Sequence, residues 1–304
     1  MTVVRPRQKN GGPHSMSIIS IRQVSFRYPK QDAPALSNVS LDIFPGELLA
    51  LIGGDRAGKT TLCHMLNGLI PNLIRGELAG EIIIDGKPSS SYPQGGISRI
   101  VGLSLQDPES QLFTATVEEE VAFGPENLSI PPEEIDRRVT WALEVMGIEN
   151  LRKKSPSALS GGQKQRLAIA SVLSMLPKVI VLDEPLGMLD PRGRRDLIEI
   201  LSRLAKEKGI SVVISESRID EFIEICDRVA IMHNGSLISS GSPSDAIASS
   251  DTLKTYGIEP PRLQILSELM ISENLISQKQ SFLGERRANE VLKSLIDREK
   301  GGVV

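Results

Sequence analysis

The run Gly53-Gly54-Asp55-Arg56-Ala57-Gly58-Lys59-Thr60-Thr61 fits G-x-x-x-x-G-K-[ST], the pattern of a loop that wraps a phosphate chain. Glycines at Gly53 and Gly58 let backbone N–H groups turn inward on the phosphates, and a helix starting behind them adds its partial positive charge. Lys59 would reach the β and γ phosphates, and the Thr60 hydroxyl would hold Mg²⁺. A second stretch, Val179-Ile180-Val181-Leu182-Asp183-Glu184, delivers two carboxylates at the end of an apolar run. Asp183 is expected to hold Mg²⁺ through water and Glu184 to polarise an attacking water. A third, Leu159-Ser160-Gly161-Gly162-Gln163, places a serine and two glycines before Lys164-Gln165-Arg166. At a helix start it would form another anion cradle, and therefore needs another nucleotide.

These residues require particular elements to position them. Leu48 to Ile52 reads as the buried strand entering the phosphate loop, with Thr61 to Leu66 as the helix leaving it. Alternating patterns over Ile18–Tyr28 and Leu36–Ile43, and Ile82–Ile84 before the turn Asp85-Gly86, predict an opening block that is partly antiparallel. Pro132–Met146 carries apolar residues at helical spacing with proline and glutamate in the first turn. The second half alternates strand Val179–Leu182, helix Arg192–Lys208, strand Ser211–Ser215, helix Asp220–Cys226 and strand Arg228–Met232, which implies a parallel sheet with flanking helices. A buried strand in such a sheet ends where ligands bind, which suits Asp183 and Glu184. Beyond Pro260-Pro261, Leu263–Met270 and Glu285–Glu299 are amphipathic.

Composition narrows the class. A chain of 304 residues holds one large domain plus an appendage, and a net charge of −3 argues against a general nucleic-acid binder. No apolar run approaches the ~20 residues of a bilayer span, so any membrane role is expected to be peripheral. Residues 1–17 read as a disordered tail, without the apolar stretch of a signal peptide. Cys63 and Cys226 make neither a disulfide framework nor a metal site, and fit structural cysteines in a reducing compartment.

With these motifs in this order, the sequence resembles the ATP-binding subunits of ABC transporters from about Ile18 to Ser250. The resemblance implies an α/β fold: a P-loop NTPase core with a mixed sheet, an antiparallel β subdomain and a helical signature subdomain near 107–170, in a domain spanning 18–250. It also implies ATP and Mg²⁺, and a head-to-tail dimer in which Ser160, Gly161, Gly162 and Gln163 close on the partner's ATP. Tyr28 matches the aromatic that stacks on adenine, and Asp190 the aspartate of the loop after Glu184. Gln106 matches the glutamine that approaches Mg²⁺ and links the site to the membrane subunit. The words from Gln106 to Phe113 and from Thr116 to Leu128 are similar to the energy-coupling factor (ECF) group of importers for vitamins and for cobalt or nickel. In that group two ATPases dock on a transmembrane coupling protein, which holds a membrane substrate-binding protein. The chain would then sit at the cytoplasmic face of the cell membrane, with 251–304 as a helical C-terminal extension.

Two departures bear on turnover. The family usually has glycine at the position of Arg56, whose charge could favour ATP, and histidine at Glu216. A carboxylate cannot donate to the γ-phosphate unless protonated, and loss of one transition-state donor costs about 3 kcal/mol. Gly187 and Met188, where serine and alanine are usual, depart more mildly. The expectation is an ATPase subunit of an ECF-type importer with a weakened site of its own, paired in a heterodimer because a homodimer would lack the donor twice. The rivals are a nucleotide-binding but nearly inactive structural subunit, and a soluble ABC ATPase outside transport.

Overall fold

A computed structural model describes residues 16–301, with side chains to Asp297. Most of the expected N-terminal tail, 1–15, lies outside the described residues. The opening block is a four-stranded antiparallel sheet in the order β2-β1-β4-β5, formed by β1 (Ile19–Arg27), β2 (Leu36–Ile43), β4 (Glu77–Ile84) and β5 (Lys87–Pro88). Between β2 and β4 come β3 (Leu48–Gly53), α1 (Lys59–Leu66) and the short α2 (Leu69–Asn72).

β3 lies inside a second, six-stranded sheet ordered β10-β9-β3-β8-β7-β6. Its other strands are β6 (Val101–Ser104), β7 (Val179–Asp183), β8 (Ser211–Glu216), β9 (Arg228–His233) and β10 (Ser236–Gly241). β6, β7, β8, β3 and β9 pair in parallel, and β10 closes the edge antiparallel to β9. This is the mixed sheet expected. Period-two side chains feed two cores, which is why β3 is apolar throughout. Leu48, Ala50 and Ile52 pack on one face with Ile180, Val212 and the helices, whereas Leu49 and Leu51 pack on the other with Leu62 of α1 and the antiparallel sheet.

The helical insertion holds α3 (Val117–Asn127), α4 (Pro132–Met146) and α5 (Gly161–Leu173), and α6 (Pro191–Lys208) covers the sheet. Thr116 and Glu119 form a reciprocal cap that starts α3. Both cysteines are buried and free.

One expected element is absent. Asp220–Cys226 is a series of turns with helix-like bonds from the Ile223 N–H to the Ile219 carbonyl at 3.1 Å and the Cys226 N–H to the Phe222 carbonyl at 2.9 Å; its acids reach other helices, Asp220 accepting the Arg262 N–H at 2.9 Å and Glu224 the Arg286 N–H at 2.7 Å. Those donors open α9 (Arg262–Ser272) and α10 (Glu285–Gly301), which follow the short α7 (Pro243–Ala246) and α8 (Ser250–Thr255). Met270, Ile276, Phe282, Ala288 and Val291 give the end of the chain a small core of its own.

Candidate active site

The phosphate loop joins β3 to α1. Gly58 has φ +100°, and a Cβ there would stand 2.8 Å from the Ala35 carbonyl oxygen, so the turn into the helix requires glycine. Asp55 and Arg56 lie exposed at the tip, Ala57 is buried, and Thr60 and Thr61 fall in the first turn of α1. Lys59 is 5% exposed and donates to the Gly53 carbonyl at 2.8 Å.

Glu184 faces this lysine. Its Oε1 is 3.4 Å from Lys59 Nζ, and its Oε2 accepts from Gln106 Nε2 at 2.8 Å. It holds a left-handed backbone, φ +47°, which a non-glycine residue adopts at some cost and which is common at working sites. Its own N–H donates to the Ser215 carbonyl at 2.9 Å, fixing it to the end of β8. The carboxyl ends of β3, β6, β7 and β8 thus bring Lys59, Gln106 and Glu184 together from three distant parts of the chain.

Asp183, one residue earlier, is 1% exposed, and neither carboxylate oxygen has a hydrogen-bond partner among the described residues. The neighbouring buried hydroxyls of Ser104 and Ser215 are likewise unpartnered. A buried, unsatisfied carboxylate is costly, and a hard cation with oxygen ligands is the partner its chemistry fits. Tyr28 reaches the same loop: its hydroxyl shares a 3.1 Å hydrogen bond with Thr61 Oγ1, and its ring stands edge-on to Phe26.

Glu216 ends β8 and is 9% exposed. Its Oε1 accepts the Leu186 N–H at 3.1 Å, so the side chain engages the segment after Glu184. Burial pushes its carboxyl up to about 7; Glu184 and Glu221 add to the rise, against the Leu186 hydrogen bond and Arg194.

The glycine-rich cradle lies apart. Ser160 and Gln163 cap each other at the start of α5, at 3.0 and 3.4 Å, and among the described residues no hydrogen bond joins them to the phosphate loop. Ser160 and Gly161 are exposed, with Gly162 and Gln163 partly so. Asp190 caps α6 by accepting the Gly193 N–H at 2.6 Å. Lys164 pairs with Glu109 at 2.5 Å, tying α5 to the loop that carries Gln106.

Sequence reasoning missed one support of the site. A Cβ on Gly54 would meet the Gly257 carbonyl oxygen at 2.9 Å and that of Tyr256 at 3.3 Å, so the turn after α8 is pressed against the phosphate loop. His233 Nδ1 lies 3.1 Å from the Tyr256 oxygen. No local pattern in Tyr256-Gly257 signals a contact so far along the chain.

Residues 36–187 match the ABC transporter family model. Over 279 residues the chain is 37% identical to the energy-coupling factor transporter ATP-binding protein EcfA of Methanocaldococcus jannaschii, covering 91% of this chain and 98% of that protein. The chain belongs to the ABC transporter ATP-binding family, in its energy-coupling factor group. This ABC ATPase is also 43% identical over 255 residues to an ABC transporter ATP-binding protein of Pyrococcus horikoshii, spanning 84% of this chain and 90% of that one. Among solved structures it is similar to CbiO1 of Clostridium perfringens, described as part of the ABC transporter complex CbiONQ, with TM-score 0.69 and 36% identity over 83% of this chain and 99% of that one. An ATP-binding cassette solved as a dimer with ADP and phosphate shares the fold, at TM-score 0.65 and 24% identity over 74% of this chain and 98% of the other. The expected ABC ATPase architecture and nucleotide chemistry are therefore those of this chain. Among its described residues no helix is long and apolar enough to cross a membrane.

Proposed function

We propose that this ABC ATPase energises an ECF-type importer for a vitamin or a transition-metal ion, at the cytoplasmic face of the membrane, as one half of a head-to-tail heterodimer. The observation that carries the catalytic part is the convergence of Lys59 and Gln106 on the two oxygens of Glu184. In this reading Gly53 to Thr61 bind the phosphates, Tyr28 meets the adenine, and Glu184 orients the attacking water and takes up its proton. Mg²⁺, when bound, neutralises charge developing between the β and γ phosphates; Thr60, Gln106 and Asp183 would hold it, consistent with the unpartnered Asp183 carboxylate. Asp190 shapes the loop between the two sites, and the exposed Ser160–Gln163 cradle serves the partner's nucleotide.

Glu216 supports asymmetry. Held by Leu186, it offers the γ-phosphate no N–H donor and, above about pH 7, no carboxyl proton either, and about 3 kcal/mol of transition-state stabilisation is the usual loss for such a group. The second ATPase is expected to supply a competent phosphate loop to this chain's cradle. Docking on a transmembrane coupling protein, which in turn holds a substrate-binding membrane protein, is supported by Phe113 and Phe123. These rings are 66% and 43% exposed and pack edge-on to each other at 4.8 Å. Buried Glu120 fixes them by accepting the Phe113 and Thr114 N–H groups, both at 3.0 Å.

Phosphate release tests the catalytic reading. The chain alone should hydrolyse ATP slowly, and in the mixed dimer Ser160→Arg should abolish most turnover while Glu184→Gln removes little. Brisk hydrolysis by the lone chain, lost in Glu184→Gln, would reject the asymmetry. Phe113→Asp should separate the chain from its coupling protein on co-purification from detergent-solubilised membranes.

A further inference from the structure

A cleft of about 760 Å³ lies at the end of the six-stranded sheet opposite the nucleotide site. Pro45, Lys178 and Ile210, which line it, precede β3, β7 and β8, whereas those strands end at Gly53, Asp183 and Glu216 in the nucleotide site. Three units meet around it: the Asp85-Gly86 turn of the antiparallel sheet, the end of α6, and Trp141 of α4.

The walls are mainly apolar. Trp141 is half-buried, Pro177 and Ile210 are buried, and Leu176 leaves 45% of its surface exposed. Two cations stand at the mouth. Lys178 is neutralised by Asp85, at 2.8 and 2.9 Å, whereas Lys208 makes no ion pair among the described residues. Among the described residues one positive charge therefore remains beside an apolar cleft of drug-like size, the combination that holds a ligand with an apolar body and one polar anchor.

We propose that this cleft binds an amphipathic monoanion, its carboxylate on Lys208 and its apolar body against Trp141 and Leu176. The charge count selects a monoanion, since among the described residues the second charge of a dianion would face Asp85 with no second free cation. The apolar body selects against a simple inorganic anion, which would leave the walls of Trp141, Leu176 and Ile210 in water.

Trp141 is the chain's only tryptophan, so its fluorescence reports this cleft alone. The test titrates the full chain with decanoate, below its micelle concentration, and with decanol as the uncharged body. Decanoate should change the Trp141 emission saturably with one site per chain, and decanol should bind roughly tenfold more weakly, the usual worth of one charge-assisted contact. Lys208→Ala should weaken decanoate by the same factor and leave decanol unchanged. Leu176→Glu should remove both, with ATP binding retained as the sign of an intact fold. A non-saturable response, equal affinity for decanoate and decanol, or unchanged decanoate binding by Lys208→Ala would overturn the assignment.

Discussion

Gln106 Nε2 donates to Glu184 Oε2 at 2.8 Å, across 78 positions of sequence. The bond joins the loop before the helical insertion to the carboxylate facing Lys59, so changes in that loop reach Glu184 directly. Gln106→Ala should lower the slow hydrolysis of the lone chain, where this site alone works, about tenfold or less, with ATP affinity nearly unchanged, because neutral hydrogen bonds are worth about 1 kcal/mol. Single-turnover phosphate release beside equilibrium nucleotide binding separates the two effects.

Lys59→Ala should remove most ATP affinity, on the order of a hundredfold, from loss of charge-assisted contacts with both the β and the γ phosphate, about tenfold each. Isothermal titration is the measurement, and equal affinity of the two proteins would refute the site.

Glu216 makes stability depend on pH. Its folded carboxyl is raised from 4.5 to about 7, so the folded chain keeps a proton that the unfolded chain releases first. Stability from this group is therefore present below about 4.5, falls as pH rises toward 7, and is lost above that; the full span corresponds to about 3 kcal/mol at most. Glu216→Gln should flatten this slope and raise the melting temperature at pH 8. Glu216→His should raise hydrolysis by the lone chain if Glu216 occupies the donor position. Denaturant melts from pH 5 to 8 and phosphate release check the two parts separately.

Arg228 holds the strand edge through Glu47. Its Nη1 lies 3.1 Å from both carboxylate oxygens and donates to the Asp42 carbonyl at 3.0 Å, with Glu47 only 7% exposed. Burial raises the Glu47 carboxyl even against this arginine, so removing the partner leaves a desolvated acid. Arg228→Met should cost about 3–5 kcal/mol in urea unfolding, and Glu47→Gln in the same background should recover part of it.

Much of this was legible in local pattern. Leu36–Ile43 and Pro132–Met146 occupy their expected spans, because alternation and helical spacing directly encode which faces are buried. β10 (Ser236–Gly241) escaped notice because an edge strand rich in serine and glycine has little apolar alternation. Asp220–Cys226 has the spacing of a helix and keeps two helix-type backbone bonds within a run of turns, while its acids cap α9 and α10, contacts that only the assembled chain discloses. At the site, Lys59, Asp183 and Glu184 stood out by residue type, whereas the Leu186 grip on Glu216 is tertiary and left no local trace.

The contact of Gly54 with the Tyr256-Gly257 turn has a thermodynamic consequence. A segment whose backbone oxygens sit within van der Waals reach of the phosphate loop, and whose next helices are capped by Asp220 and Glu224, cannot peel away without loosening the nucleotide pocket. The last helices and the ATPase body should therefore melt as one cooperative unit, a single calorimetric transition that ATP shifts as a whole.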